Sequence, residues 1–448
     1  MRRWMLGLGL IVLLNLLAVG YWHRDDGLQE SFEHLDTRVI LQRLQQPHSV
    51  WQWFMGDWVL GNGFYRPLPS VLYQLDYWLW GANLLAWKWT NGLIAVLNAL
   101  MVVAFSWALS ERRDIALAGG LMFTVWQTGL LLEPPFWLGW MGLGVGALWG
   151  WRVGDLRRGL LWGCVAFAFI VEMRFIPTLP DIHLQSFAYR AIGWIPGRTA
   201  TLMTLLALLA LIGICLYART SRLRWAVLGT TGFVGALLSY EQAVVLPLLM
   251  ALCGWSVVRG QASTAQDEAA RVLSAPLMRR MTALPLLCLL LLIPYLAFYR
   301  THIPLQTQYH QQRVKRSKTL PETTLYWLVP TARESIAQID LARIAPFNLL
   351  MPTFWLGLLG LTAYLVGLRE GLRTRLGWLG WLGSLLAYAP LMPVLPLMHY
   401  YYCSAVFRAL WAGILLLCLL TLRPTRRDTS DATAVVMCPK RSSLRSTS

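Results

Sequence analysis

The sequence predicts an all-α, polytopic transmembrane helical bundle of about twelve spans, and three observations carry that prediction. Of the 448 residues, 56% are hydrophobic and only 14% charged, a balance that water-soluble chains of this size rarely reach. Largely apolar stretches of about 20 residues, the length that crosses a bilayer, recur from one end of the chain to the other. Basic residues gather in alternate short connections between these stretches, as expected of loops retained in the cytoplasm.

The first apolar run, residues 4–21, follows Arg2 and Arg3. Ala18-Val19-Gly20 resembles a cleavage site, but the run is longer than a signal-peptide core and reads as a retained helix. Further runs cover 88–108, 114–132, 137–151, 159–172, 199–217, 225–240, 243–258, 282–298, 348–367, 376–395 and 404–422. With Arg2 and Arg3 inside, alternation puts Arg112, Arg113, Arg152, Arg157, Arg158, Arg219, Arg222 and Arg224 in cytoplasmic connections. The segments 259–280 and 369–375 fall on the same side. Both termini are then cytoplasmic, and the chain is expected in the cell's inner membrane. Residues 1–422 form the membrane domain. The polar, basic, Ser/Thr-rich residues 423–448 read as a disordered cytoplasmic tail.

The net charge of +17 is explained by this topology rather than by nucleic acid, because the arginines sit in short loops and not on a soluble basic face with stacking aromatics. Many of the 24 tryptophans lie at the ends of apolar runs, where an amphipathic ring suits the headgroup layer. The seven cysteines form neither a metal-type spacing nor a disulfide framework. Three long connections, 22–87, 173–198 and 299–347, face the extracytoplasmic side. Loops of that length are uncommon in compact bundles unless they carry a site. Within the first, Pro67 to Trp80 is apolar but short and contains Asp76, which predicts an interfacial helix.

Chemistry is expected at the outer boundary. Asp25 and Asp26 follow the first run directly, and three roles are open to them: a general base tuned by its like-charged neighbour, a divalent-cation ligand, or a helix cap. Beyond that cation, the sequence points to no cofactor. Glu241 lies at a turn between two runs and suits a sugar-hydroxyl or metal contact, or a capping role. The 299–347 loop holds Arg300, Arg313, Lys315, Arg316, Lys318, Arg333 and Arg343 against Glu322, Glu334 and Asp340, on the side that disfavours basic residues. It suits an anionic lipid phosphate or an anionic glycan, unless it is simply a long loop that translocates regardless of charge. His399-Tyr400-Tyr401-Tyr402 heads the last run and reads as an aromatic anchor.

Several motifs occur in a recognisable order. After Asp25-Asp26 come Tyr65-Arg66-Pro67-Leu68, then Leu75-Asp76 with Trp80-Gly81-Ala82-Asn83, and then Thr90-Asn91. Trp194-Ile195-Pro196-Gly197-Arg198 and Ser239-Tyr240-Glu241-Gln242-Ala243 follow. Over roughly its first 250 residues, in the terms of motif matching, the chain resembles type C glycosyltransferases, most nearly the branch containing the protein O-mannosyltransferases and their bacterial relatives. Tyr240 stands where that branch usually has Lys, and its His-Pro-X-X-X-Glu stretch is not recognisable.

The resemblance implies a multi-span enzyme that takes a sugar from a polyprenyl-phosphate donor and passes it, with inversion, to a hydroxyl of a protein, a lipid-linked glycan or an envelope polymer. It implies Asp26 or Asp25 as the base. Arg66 and Arg198 become phosphate contacts, with a snorkelling arginine as the bland alternative, and Arg300 and Arg313, from the charge of the 299–347 loop rather than from the resemblance, join them as substrate contacts. Asp76 and Glu241 become further substrate contacts. Two other classes stay open: a transporter or flippase of lipid-linked glycans, which calls for ionisable residues and broken helices near mid-membrane, and an inactive relative serving as a membrane scaffold.

Overall fold

A computed structural model describes residues 2–24, 30–46, 49–129, 137–173, 187–262, 267–303, 352–391 and 398–422. Asp25, Asp26, Arg313, most of the 299–347 loop and the 423–448 tail lie outside the described residues.

The described chain is all-α, with no strand among the described residues. Its helices are α1 (Arg2–Arg24), α2 (Glu30–Leu44), α3 (Gln52–Met55), α4 (Pro67–Trp80), α5 (Leu84–Ser110), α6 (Arg113–Thr128), α7 (Trp137–Val153), α8 (Leu156–Met173), α9 (Arg198–Thr220), α10 (Leu223–Leu237), α11 (Leu246–Ala262), α12 (Asp267–His302), α13 (Pro352–Leu372), α14 (Arg375–Tyr388) and α15 (Tyr402–Thr421). Each apolar run of the sequence falls on one of them. In hydrocarbon a backbone must satisfy its own hydrogen bonds, and uninterrupted apolar runs do so as helices. Among the described residues, six helices are long and apolar enough to cross a membrane: α1, α5, α9 and α15, α11 together with the 3-10 turn before it, and the C-terminal part of α12.

The helices alternate in direction. At one end, Arg219 near the C-terminus of α9 pairs with Glu111 just past α5 at 2.6 Å, and Arg375 at the start of α14 packs on Gly260 near the end of α11. At the other end, Asn91 of α5 donates to the Trp194 carbonyl ahead of α9 (3.1 Å). There too, Gln242 ahead of α11 donates to Ala387 of α14 (2.6 Å) and to Tyr400 ahead of α15 (3.1 Å). The basic connections around Arg112, Arg219 and Arg375 therefore share one end of the bundle. We call it the basic end, and its opposite the cap end.

Small residues set the closest crossings. A Cβ on Gly146 of α7 would lie 2.5 Å from the Gly159 carbonyl oxygen and 2.7 Å from the Gly163 nitrogen of α8, so the hairpin backbones meet almost directly. The main core lies among α5, α6, α9, α11 and α15. A second core joins α8, α13 and α15 around Phe167, Tyr364 and Trp411.

The described part of the first long connection is folded, with a core of its own. Ile40 and Leu44 of α2, Trp53 of α3, Trp58, Val59 and Phe64 of the following turn, Tyr73 of α4, Trp87 and Ile195 pack together at the cap end. α4 buries Tyr73, Gln74 and Asp76 and exposes Trp78, Leu79 and Trp80.

Candidate functional site

The turn before α4 places the site. Asp57 accepts hydrogen bonds from the backbone N–H groups of Trp58 (2.8 Å), Gly63 (2.7 Å) and Phe64 (3.0 Å), closing a loop that passes through Gly61 and Gly63, both at positive φ. The Ser70 hydroxyl donates to the Arg66 carbonyl (3.0 Å) and accepts from the Val59 amide (3.1 Å). The Leu68 amide donates to the Leu238 carbonyl at 3.1 Å, fixing this segment on the turn after α10. Asp57→Ala removes a charged acceptor serving three amides and is expected to destabilise the loop by about 2 kcal/mol. Hydrogen exchange of the 57–66 peptide, followed by mass spectrometry, should then quicken roughly 30-fold.

This scaffold delivers Arg66 to Glu241, 175 residues away in sequence. The guanidinium donates through Nε to both carboxylate oxygens (3.1 and 3.0 Å) and through Nη2 to Oε2 (2.8 Å). Aromatic rings surround it, with centroids at 4.7 Å for Trp58, 4.2 Å for Phe64 and 4.3 Å for Tyr240. Burial opposes the positive charge, but Glu241 and the hydrogen bonds to it outweigh burial, and the Arg66 pKa is raised. Tyr240, where the resembled branch has Lys, thus supplies a face of the arginine's cage. The fork occupies Nε and Nη2, and no hydrogen bond engages Nη1 among the described residues.

Arg66 and Glu241 line a cavity of about 320 Å³ whose other walls include Tyr295 and Tyr299 of α12, Leu391 and Tyr400. The Tyr299 hydroxyl donates to the Gly63 carbonyl at 3.2 Å. A second, apolar slot of about 210 Å³ shares Tyr295 with the first and runs between α10 and α12, past Tyr65, Leu238 and Phe298. A cavity bearing the Arg66–Glu241 ion pair and an apolar slot thus share a wall at Tyr295.

A second ion pair lies deeper. Arg198 Nη2 meets Asp76 Oδ2 at 2.6 Å, with both side chains enclosed. Arg198 also donates to Asn91 Oδ1 (2.7 Å) and to the Trp87 carbonyl (3.0 Å), and sits over the Tyr73 ring at 4.6 Å. The Thr90 hydroxyl donates to the other Asp76 oxygen at 2.9 Å. This cluster stitches α4, α5 and α9 together and does not line the cavity. Tyr73 stands in the field of both arginines: burial pushes its phenol pKa up, while Arg198 and Arg66 pull it down by less.

Of the residues singled out in the sequence, the structure brings Arg66 and Glu241 together at the cavity and pairs Asp76 with Arg198 beside it. Arg300 is exposed in the last turn of α12, one residue beyond Tyr299. Asp25, Asp26 and Arg313 lie outside the described residues, and with them the acidic pair on which a cation would depend. Tyr400, Tyr401 and Tyr402 are buried rather than set as an interfacial anchor. Tyr400 walls the cavity, Tyr401 stacks on Tyr388 with centroids 4.7 Å apart, and Tyr402 stacks on Phe187 at 5.6 Å.

One cluster escaped the sequence reading altogether. Glu172 near the end of α8 and Arg408 within α15 are fully enclosed and form an ion pair of 2.8 Å. The Tyr364 hydroxyl of α13 donates to the other Glu172 oxygen at 2.7 Å, and Arg408 Nη1 lies 3.4 Å from the Ser384 hydroxyl of α14. Lone charges inside or bordering apolar runs were the available signal.

Compared with protein-family models, curated proteins and solved structures, the chain gives no match.

Proposed function

We propose that this chain is a membrane-embedded glycosyltransferase of the type C kind, moving a sugar from a polyprenyl-phosphate donor to a hydroxyl acceptor on the extracytoplasmic side. The observation that carries the reading is the meeting of Arg66 and Glu241 at a cavity flanked by an apolar slot. An anionic amphiphile needs that combination: a guanidinium with a donor to spare for phosphate, hydroxyl-recognising groups for sugar, and an apolar channel for the chain.

In this reading the proton of the acceptor hydroxyl passes to Asp26 or Asp25. The freed oxygen attacks the anomeric carbon, and the bond from that carbon to the phosphate oxygen breaks with its electron pair on the phosphate. Arg66 stabilises the departing charge, held in orientation by Glu241, and Arg300 and Arg313 are the further contacts expected of the basic connection. Arg198 and Asp76 act by fixing α4 against α5 and α9. The full topology has about twelve spans, with the basic end cytoplasmic, the cap end outside, both termini inside and residues 423–448 as a cytoplasmic tail. Its support is the collection of arginine-rich connections at one end, opposite the cavity.

The Glu172–Arg408 pair favours a second reading, a transporter of lipid-linked glycans, since buried ionisable groups commonly mark pathways through a bundle. One experiment separates the two. Protein in sealed vesicles is given a polyprenyl-phosphate hexose and a peptide or glycan acceptor, and both glycosylated product and donor translocation are measured. Product formation without translocation supports the transferase, whereas translocation without product replaces it with the transporter. Impermeant thiol labelling of exposed positions 51 and 151 (W51C, W151C) should mark opposite sides of the membrane, with position 51 outside.

A further inference from the structure

At the basic end, α11 and α14 enclose a groove of about 120 Å³, remote from the Arg66 cavity. Its walls are apolar, from Leu252 and Trp255 of α11 and Trp378, Leu379 and Leu382 of α14. Two residues of its lining carry enclosed polar atoms without hydrogen-bond partners. Ser256 is 1% exposed and its hydroxyl makes no hydrogen bond, and the Arg375 Nη1 atom is enclosed and makes none either. Buried polar groups are normally satisfied, so a hydroxyl and a guanidinium nitrogen left open in one small groove point to an absent acceptor.

Arginines gather around its mouth. Arg375 rests on Gly260, where a Cβ would come within 1.8 Å of Nη1, and its electrostatic neighbour is Arg219. Arg259 stacks on the wall residue Trp255 at 4.3 Å. Glu111 pairs with Arg219 at 2.6 Å and is 71% exposed.

We infer that an anionic phospholipid from the leaflet at the basic end docks here, with its phosphate at the mouth of the groove and one ester carbonyl inserted into it. The phosphate meets Arg375, with Arg259 and Arg219 adding to the field, and the Ser256 hydroxyl donates to an ester carbonyl. Ser256 lies one helical turn below Gly260, about 6 Å deeper, which is the direction from phosphate toward glycerol ester. At about 30 Å³ per water-sized unit, the groove takes only a few heavy atoms. The acyl chains therefore continue outside it, over Trp255, Leu248 and Trp378, which are 40%, 54% and 51% exposed. Anionic headgroups at a membrane's cytoplasmic face favour basic pockets between helices of this kind.

The test is intact-protein mass spectrometry in detergent with short-chain phosphatidylglycerol, phosphatidylcholine or inorganic phosphate added separately. The wild type should retain phosphatidylglycerol at least tenfold better than phosphatidylcholine and should not retain inorganic phosphate. R375Q should lower that retention about tenfold and S256A about threefold. Equal retention of the two lipids, or displacement of phosphatidylglycerol by inorganic phosphate, overturns the inference. If R375Q does not fold, S256A decides the matter, because it removes an oxygen with no protein partner and leaves lipid-free melting unchanged. Undiminished phosphatidylglycerol retention in S256A then overturns it.

Discussion

Arg66→Gln should lower sugar transfer by about 10²–10³-fold while the protein remains folded and inserted, because a preorganised charged donor aimed at developing negative charge contributes on that scale. The loss should fall on kcat rather than KM, since the charge on phosphate grows as the bond breaks. Arg66→Lys should recover little. An ammonium cannot reproduce the fork on Glu241 or the stacking among Trp58, Phe64 and Tyr240. Glu241→Gln should cost less than Arg66→Gln, and the two together should cost less than the sum of their separate effects, because the carboxylate acts largely by orienting the guanidinium. The double variant D25N/D26N should lose about 10²–10⁴-fold, the range of a general base. Its deficit should ease as the acceptor hydroxyl is replaced by a more acidic one, and that of Arg66→Gln should not. Initial rates with the polyprenyl-phosphate hexose, normalised to folded protein by size-exclusion chromatography, provide the check. Transfer at wild-type rates in Arg66→Gln would remove the cavity from the reaction.

Arg408→Met or Glu172→Gln alone should destabilise the bundle by about 3–5 kcal/mol, the usual penalty for leaving one partner of an enclosed ion pair uncompensated. Arg408 sits about 9 Å inside the start of α15, at 1.5 Å per residue, and neither partner is exposed to solvent. The double replacement should be milder than either single one, because it removes both desolvated charges and Tyr364 can still donate to the amide carbonyl that takes the place of the carboxylate. Unfolding midpoints in detergent across the two single variants and the double variant would test this. If the singles are harmless, water or another group reaches the pair. The same variants bear on the transporter reading: a folded double variant that no longer moves a lipid the wild type translocates would assign the pair to translocation.

The helices were legible because apolar length is a local property. Their ends were less so. The run at 225–240 yields its last residues to a turn that presents Tyr240 and Glu241, and the run at 376–395 leaves the helix at Ala389-Pro390, where proline removes a backbone donor. Arg66 and Glu241 were each identifiable as outer-boundary charges, but their pairing was not, since nothing local encodes a contact across 175 residues. The folded first connection stayed hidden for the same reason. Its order depends on Asp57 reaching Gly63 and Phe64 and on Trp53 donating to Gln74 at 2.5 Å, contacts invisible to periodicity. Glu172 was missed by reading each run for what was plentiful. A solitary carboxylate at the end of one run and a solitary guanidinium within another were, together, the message.

The tyrosines of α12 have a mechanical consequence. Tyr299 is bonded to Gly63, and Tyr65 packs on Phe298 with ring centroids 4.9 Å apart, so the last turns of that helix and the strap bearing Arg66 are joined at two points. They must shift as one lever. Any displacement of the C-terminal end of α12 is therefore passed to the backbone at Gly63 and to the Tyr65 ring, the residues that lead into Arg66.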